Sequence, residues 1–411
     1  MTRIAILSGP YPVDDHLGGI GLRLWELAQS LADTGHDVTL ALPRATDFTH
    51  PGITTTLDAT AAVDAADAIV TTDLPDTALL LRAHRAGTTI VAENAPPIEH
   101  LHYDRLAADT NGGLYRDTVA RWHLQLLLAD HLVVRSEAER AATLGALVAA
   151  GRTSGAHHRV DPALGHLLSL IPIGFNRHSA KIADGARADP DKACDVLWNG
   201  GVWDYCQPGP VLEALAATRA AAGTAPTLRL LYEPAPAAAD SLRAHARDLG
   251  VADLLHWPCG PVAHRDRDAW LASAKALVIT GGRTAENTTC HRLRLRDAAL
   301  YGLPVVVDGH GASGELVAAL GIGPVVDPDD PHALGAALVA ASTDGPARHR
   351  YRSALAAARG RFTLEEHLGP LQRVLHACVI APDRDERAHR ARIDALLKAH
   401  PALHDPAPTV L

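Results

Sequence analysis

A charged segment in the second half of the chain contains the residue types that bind a diphosphate. Residues 286–297 read ENTTCHRLRLRD. Guanidinium groups bind phosphate oxygens through paired hydrogen bonds, and the N-terminus of a helix adds partial positive charge. A helix over residues 292–301 would place Arg292 and Arg296 on one face, with Arg294 displaced around the axis. The same pattern is also typical of a solvated, arginine-rich helix surface, so charge alone leaves both interpretations open.

Two pairs of glycines each follow an apolar run that is typical of a buried strand. The pairs are Gly18-Gly19 and Gly200-Gly201. Glycines let the backbone approach a ligand closely, and the free N–H groups at a helix start favour phosphate. Each pair could equally form a plain tight turn. The first pair lacks the dinucleotide fingerprint GxGxxG because Leu24 replaces the third glycine, which disfavours a nicotinamide-dependent dehydrogenase.

Aromatic, acidic and histidine side chains near these glycines are the other candidates. Trp203 could stack on a base or a sugar, or could belong to the core. His16 precedes the first glycine pair, and His100 follows a predicted strand. A histidine titrates near neutral pH and could hold or deprotonate an acceptor. Glu99 and His102 flank His100 and are predicted acceptor contacts, although a structural role is open for each histidine.

Alternating strands and helices are the elements that must position these residues, and they predict an α/β fold. Short apolar runs followed by helical repeats occur in both halves of the chain, which is typical of open, mostly parallel, doubly wound sheets. Two such halves would face a central cleft. We expect an N-terminal acceptor-side domain, a linker, a C-terminal donor domain and a helical tail that could return to the first domain, with boundaries at 1–175, 176–194, 195–363 and 364–411.

Length and composition narrow the class of protein. At 411 residues the chain fits two domains of roughly 200 residues each. The net charge of -9 disfavours nucleic acid and anionic membranes as partners. Five cysteines without a CxxC pair indicate reduced thiols rather than disulfides or zinc, and no window of 18 apolar residues predicts a membrane span. We therefore expect a cytoplasmic protein, and no metal-ligand spacing is present in the sequence.

The motifs together resemble retaining GT-B glycosyltransferases of the GT4, or group 1, family. The first strand, the Gly-Gly loop and the helix ending in GHDVTLALP resemble the opening of these enzymes, and LWNGGVWD resembles their second half. The segment ENTTCHRLRLRDAALYGLPVV resembles a divergent bacterial branch with the pattern E-T-x-x-S-F-R-T-R-x-x-D and then G-L-P-V-V. The matching positions are Glu286, Arg292, Arg294, Asp297 and residues 302–306.

The resemblance implies transfer of a sugar from a nucleoside-diphosphate sugar, with UDP or GDP as the carrier, to a small soluble acceptor. It further implies retention of configuration, and it leaves surface-glycan and antibiotic or other natural-product pathways open. We expect no metal or cofactor, because arginines and helix dipoles would supply the positive charge for which other folds use a divalent ion. Asp297 would stand in the place of the glutamate that holds the ribose. The resemblance implies Gly18, Gly19, Gly200 and Gly201 for the donor diphosphate, and Asp297 and Glu315 for the nucleoside or sugar. Beside these, Arg292 and Arg294 are further candidates for the diphosphate and Trp203 for the nucleoside or sugar, and the catalytic candidates are His16, His100 and Glu286.

Departures from the family pattern keep other functions open. The family spaces two glutamates eight residues apart, where this chain has Thr289 and Asp297. It also carries an arginine and a lysine after the Gly-Gly stretch, where this chain reads DYCQP, so Arg292 and Arg294 are the expected substitutes. A sugar-nucleotide epimerase of the same architecture and a non-catalytic homologue that acts as a binding or partner protein are the alternatives. The sequence does not decide whether the chain forms a homo-oligomer.

Overall fold

The computed structural model describes residues 1–93, 108–203, 205–258 and 260–404. The chain divides into two structural units. One unit contains Met1–Pro172 and Leu364–Leu411, and the other contains Ile173–Thr363. Each is built on one parallel sheet flanked by helices, which confirms the predicted α/β class. Within the described ranges, no helix has the length and apolar character needed to cross a membrane.

The N-terminal unit contains a seven-stranded parallel sheet in the order β3-β2-β1-β4-β5-β6-β7. Its strands are rich in Ile, Val and Leu because helices cover the sheet, so that the central strands are buried. The order reverses at β1, which pairs with β2 on one side and with β4 on the other. The strands are β1 Arg3–Leu7, β2 Asp37–Ala41, β3 Ile53–Thr56, β4 Ala68–Thr72, β5 Thr89–Glu93, β6 His131–Val134 and β7 Leu168–Leu170.

Six described helices connect these strands. Asp76 and Ser136 cap two of them by accepting a backbone N–H hydrogen bond in the first turn. Gly21 lies in the first turn of α1, where a Cβ would lie 2.5 Å from the carbonyl oxygen of Pro12, so the loop after β1 packs closely on this helix. The helices are α1 Gly19–Asp33, α2 Ala59–Ala65, α3 Thr77–Ala86, α4 Gly113–Leu128, α5 Glu137–Ala149 and α6 Gly155–Val160.

The second unit contains a six-stranded parallel sheet in the order β10-β9-β8-β11-β12-β13. The strand order reverses between β8 and β11, which are hydrogen-bonded neighbours. The central strands are almost fully buried, whereas the edge strands are only two residues long. The strands are β8 Cys194–Trp198, β9 Leu228–Leu230, β10 Leu255–His256, β11 Ala274–Ile279, β12 Val305–Asp308 and β13 Val325–Val326.

Nine described helices belong to this unit, and one of them differs from the expectation from sequence. The region expected to be a linker contains α7, and the helix expected over 292–301 begins only at Leu295. Arg292 and Arg294 therefore lie in the turn before the helix, so Arg292 and Arg296 do not share a helix face. The helices are α7 Arg177–Gly185, α8 Gly209–Ala222, α9 Pro236–Asp248, α10 Arg267–Ser273, α11 Ala285–Thr289, α12 Leu295–Tyr301, α13 Ala312–Leu320, α14 Pro331–Ser342 and α15 Pro346–Ala358.

The tail belongs to the N-terminal unit and forms two helices, α16 Gly369–Ala377 and α17 Arg387–Ala399. Buried ion pairs hold the segment between them. Asp383 accepts hydrogen bonds from Arg152 at 2.8 Å and lies 2.9 Å from the Nε2 of His157. Arg384 donates to the carboxylate of Asp130 at 2.8 Å. Because these groups are shielded from water, the tail is fixed by specific charge pairing as well as by apolar packing.

Candidate functional site

Three glycine-containing loops lie at the carboxyl edge of the sheet in the second unit. They follow β8, β11 and β12 and contain Gly200-Gly201, Gly281-Gly282 and Gly309-His310-Gly311. In doubly wound sheets, ligands bind outside the carboxyl ends of the strands where the strand order reverses. Here the reversal lies between β8 and β11, so the loop containing Gly200 stands at the expected place.

Arg294 lies directly against the first of these loops. A Cβ placed on Gly200 would lie 2.4 Å from the Cδ of Arg294, so only glycine leaves room for this side chain. The guanidinium stacks on the indole of Trp198 at 4.7 Å from the ring centroid, and its Nη2 contacts the Sγ of Cys206. Its Nη1 is buried and has no hydrogen-bond partner, and no carboxylate in the described parts of the chain pairs with it. Arg294 is therefore a fixed, partly buried cation with unused donor capacity.

Asn199 separates the apolar strand β8 from the glycine pair and supports the same turn. Its Nδ2 donates to the Oδ2 of Asp297 at 2.6 Å and to the carbonyl of Arg294 at 3.4 Å. Its Oδ1 is buried and has no hydrogen-bond partner among the described residues. Asn199 is not among the predicted site residues, although a polar residue between a buried strand and two glycines is a recognisable signal.

Asp297, for which the resemblance implies a ribose-binding role, lies inside a cluster of charged and polar side chains. Its side chain is 1% exposed, and its carboxylate is held by Arg267, by Arg296 at 2.9 Å and by Asn199. Two guanidinium groups neutralise the charge, so this carboxylate is an internal counter-ion rather than an open ligand. Burial, with Arg267 and Arg296 nearby, lowers the pKa of His264 to about 4, as expected beside a cationic cluster.

Glu286 and Arg292, the candidates for catalysis and diphosphate binding, pair with each other. The Nη1 and Nη2 of Arg292 donate to the two carboxylate oxygens of Glu286 at 2.6 and 2.7 Å, and Nη2 also donates to Asn287 at 3.0 Å. The guanidinium stacks on the ring of Tyr205. Both charged side chains are buried, so each needs the other as a counter-ion. In this structure the carboxylate of Glu286 is therefore the counter-ion of Arg292, and the charge of Arg292 is already neutralised.

Asp308, at the end of β12, stabilises the glycine loops through hydrogen bonds. Its carboxylate accepts hydrogen bonds from the backbone N–H of Gly281 at 2.8 Å, from the Nδ2 of Asn287 at 2.8 Å and from the backbone N–H of His310 at 3.1 Å. A Cβ on Gly311 would lie 1.8 Å from the carbonyl oxygen of Asn287, so the loops are in close backbone contact. Asp308 is not among the predicted site residues, although an acidic residue directly after three buried valines is a recognisable signal.

Trp203 and Glu315 are both accessible at this edge. Trp203 is 51% exposed, and a Cβ on Gly201 would lie 2.7 Å from its Nε1. Two backbone hydrogen bonds with Cys206, at 3.1 and 2.9 Å, close the turn that presents the indole. Glu315 is exposed in the first turn of α13. The positions of both side chains are compatible with contact to a nucleoside or a sugar.

Three of the predicted site residues in the N-terminal unit are described by the structure, and they lie at or just before the start of α1. Gly18 and Gly19 are exposed, and the helix begins there without a side-chain cap. His16 is also exposed, and its backbone N–H donates to Asp14 at 2.8 Å. Glu99, His100 and His102 lie outside the described residues.

Solved structures share this fold of two α/β units, each built on one parallel sheet. Sucrose-phosphate synthase from Thermosynechococcus elongatus aligns with 92% of this chain and 100% of its own, with a TM-score of 0.63 and 16% identity. The chain has the GT-B fold. A second GT-B relative, AviGT4, a glycosyltransferase involved in avilamycin A biosynthesis, covers 92% of this chain and 99% of its own, with a TM-score of 0.54 and 20% identity.

A third similar structure, Anabaena HepE in complex with UDP-glucose, covers 92% of this chain and 100% of its own, with a TM-score of 0.60 and 16% identity. No protein-family model and no curated protein sequence matches the chain. These findings confirm the GT-B fold that the sequence predicted. Within the C-terminal GT-B unit, the structure brings Gly200, Gly201, Trp203 and Arg294 together at one edge.

Proposed function

We propose that this protein is a glycosyltransferase that moves a sugar from a nucleoside-diphosphate sugar, with UDP as the first candidate carrier, to a small acceptor. The observation that carries the proposal is the partly buried guanidinium of Arg294, which lies against Gly200 with Nη1 unsatisfied. A diphosphate would supply the missing acceptor oxygens, and a guanidinium can bind two of them at once. HepE, of similar fold, holds UDP-glucose, which supports UDP.

Charge development explains why such a cation would serve catalysis. When the bond between the sugar and the diphosphate breaks, negative charge grows on the departing phosphate oxygen. Donors that are already in place stabilise this charge without reorganising. Arg294 would supply one such group, and the backbone N–H groups of Gly200 and Gly201 would supply others because a glycine has no side chain of its own to keep a ligand away from its backbone. Trp203 would stack on the nucleoside or the sugar.

We further propose that the transfer retains configuration, needs no metal and takes place in the cytoplasm. The departing phosphate would then take the acceptor's proton, so no protein carboxylate is required as a base. The pairing of Glu286 with Arg292 agrees with this, because that carboxylate is already committed. Arginine would supply the positive charge for which other folds use a divalent ion. AviGT4 and WaaG, glycosyltransferases of avilamycin A and lipopolysaccharide biosynthesis, support both natural-product and surface-glycan pathways as settings.

A non-catalytic binding protein of the same fold is the second candidate. The carboxylate of Asp297 pairs with two arginines inside the unit, and Thr289 stands at the position of the other family glutamate. A protein in which neither position offers an open carboxylate could bind a nucleotide without catalysing transfer. The two candidates differ in one observable, because only the enzyme releases free nucleoside diphosphate from a sugar nucleotide when an acceptor is supplied.

Thermal stabilisation by nucleotides tests the proposal first. UDP, GDP, dTDP, ADP and CMP are each added to the purified protein, and a ligand at 100 times its Kd adds about 2.7 kcal/mol of stability. We expect one diphosphate to raise Tm clearly, and its sugar nucleotide to be consumed only with an acceptor. If no nucleotide raises Tm, the proposal fails. Conversion of the sugar nucleotide without any acceptor would instead identify an epimerase.

A further inference from the structure

The sheet of the N-terminal unit also has a point at which the strand order reverses. β1 lies between β2 and β4, so the loops at the carboxyl ends of β1 and β4 diverge and leave a crevice between them. Ser8 directly follows β1, and Asp73 directly follows β4. The register pairs Leu7 with Thr71, which places Ser8 level with Thr72 and one residue from Asp73.

Asp73 is held in a backbone conformation that side chains rarely adopt. Its φ angle is +60°, in the left-handed region that favours glycine. Two hydrogen bonds hold it there, because its N–H donates to the carbonyl of Glu93 at 3.1 Å and its own carbonyl accepts from the Nε2 of Gln125 at 2.8 Å. Backbone strain that the surrounding structure maintains is concentrated at functional sites. A glycine would adopt this conformation without strain, and aspartate adopts it more readily than most other residues.

The side chains around Asp73 form a polar group of the kind that binds hydroxyls. The hydroxyl of Tyr11, from the loop after β1, donates to the Oδ2 of Asp73. Asp73 is 9% exposed, and Ser8 is 1% exposed with an Oγ that has no hydrogen-bond partner among the described residues. A buried hydroxyl without a partner is costly unless a ligand or water completes it.

We propose that Asp73, positioned by Tyr11, binds a hydroxyl group of the acceptor, and that the acceptor is a polyhydroxylated molecule of the sugar or cyclitol type. This inference rests on the proposed transferase function. A carboxylate offers two acceptor oxygens, which can receive O–H bonds from two neighbouring hydroxyls, and the Oγ of Ser8 can donate to or accept from a third. The pair binds and orients the acceptor and takes no proton from it.

Matched variants test the assignment with UDP-glucose as donor and with glucose, glucosamine and myo-inositol as acceptor probes. In Asp73→Asn and Tyr11→Phe we expect the KM for the transferred probe to rise about tenfold or more, because a charged hydrogen bond is weakened. The Kd for UDP should not change. Tyr115→Phe is the control, since Tyr115 is 55% exposed on α4. No transfer to any probe by a protein that binds UDP would overturn the polyol assignment.

A stability measurement separates binding from a structural role without any substrate. Asp73→Gly should keep or raise Tm, because glycine adopts the left-handed backbone freely, while transfer to the probe is lost. A fall in Tm of several degrees with transfer retained would show that Asp73 is structural and would overturn the inference. If the wild-type protein does not bind UDP, the proposed function fails. If it binds UDP but Asp73→Asn keeps the same acceptor KM, only the acceptor assignment fails.

Discussion

The guanidinium of Arg294 lies against the backbone of Gly200, and a Cβ on that glycine would lie 2.4 Å from the Cδ of the arginine. The two residues are far apart in sequence, and the absence of a side chain on the glycine leaves room for the arginine, which stacks on Trp198. The loop after β8 and the turn before α12 therefore pack together and depend on each other. Changes to either residue should affect the same property, which we propose is diphosphate binding.

Substitution of Gly200 tests this dependence from the side of the glycine. In Gly200→Ala the new methyl group must displace Arg294 from its position, so the Kd for UDP should rise about tenfold, which corresponds to about 1.4 kcal/mol. Isothermal titration calorimetry measures the change. Gly209→Ala is the matched control, because nothing lies within 4 Å of a Cβ there and its φ angle is not positive. Equal Kd values for both variants and the wild-type protein would contradict the contact as a functional one.

The buried pair of Glu286 and Arg292 should contribute to folding rather than to proton transfer. In Glu286→Ala the arginine loses both carboxylate hydrogen bonds while it stays buried, so the free energy of unfolding should fall by about 3–5 kcal/mol. Urea denaturation followed by circular dichroism measures this. In Arg283→Ala, which removes an exposed ion pair with Asp327, the loss should stay below about 1 kcal/mol. A Glu286→Ala protein of full stability without turnover would restore the catalytic role.

Buried neutral histidines should make the protein less stable in mild acid. Burial lowers the pKa of His131 to about 4, and burial with Arg152 nearby lowers that of His389 to about 4. In the unfolded chain a histidine titrates near pH 6.5. Because the folded pKa is depressed, the stability is fully present above about pH 6.5 and is lost as the pH falls towards 4, by about 1.4 kcal/mol per pH unit for each fully buried group.

His131 is the position at which to test this pH dependence. Its Nδ1 donates to the carbonyl of His166 at 2.9 Å and its Nε2 lies 2.8 Å from the Oγ of Ser169, a pattern that suits the neutral ring. In His131→Gln, which does not titrate, the free energy of unfolding should fall less between pH 6.5 and 4 than in the wild-type protein. Denaturant titrations at several pH values measure both slopes. Identical slopes would show that this histidine does not carry the effect.

The sequence predicted the long buried elements well because their patterns are strong. The helices α3 and α4 and the strand β4 follow the predicted alternation of apolar strands and helical repeats. The edge strands β3, β10 and β13 were not predicted. They are two to four residues long and only partly buried, so they carry little apolar pattern. Pairing with a neighbouring strand forms them, and a local pattern does not encode that pairing.

The site was predicted in part, because a sequence shows which charges exist but not which of them pair. Arg294 and Gly200 were identified as candidates and lie together in the structure. Asp297 was interpreted as a ligand contact, yet Arg267, 30 residues away in sequence, neutralises it inside the unit. The arginine arrives on a different helix, so only the tertiary packing reveals the pair.

The measurement that tests the central claim most directly is the affinity for UDP of Arg294→Ala beside Arg283→Ala. Both variants remove one arginine near the carboxyl edge of the same sheet, but Arg283 is 63% exposed and already paired with Asp327. We expect the Kd for UDP to rise at least about tenfold in Arg294→Ala and to stay within about twofold of wild type in Arg283→Ala, with both proteins folded. Unchanged UDP affinity in a folded Arg294→Ala protein would contradict the assignment of this edge as the donor diphosphate site.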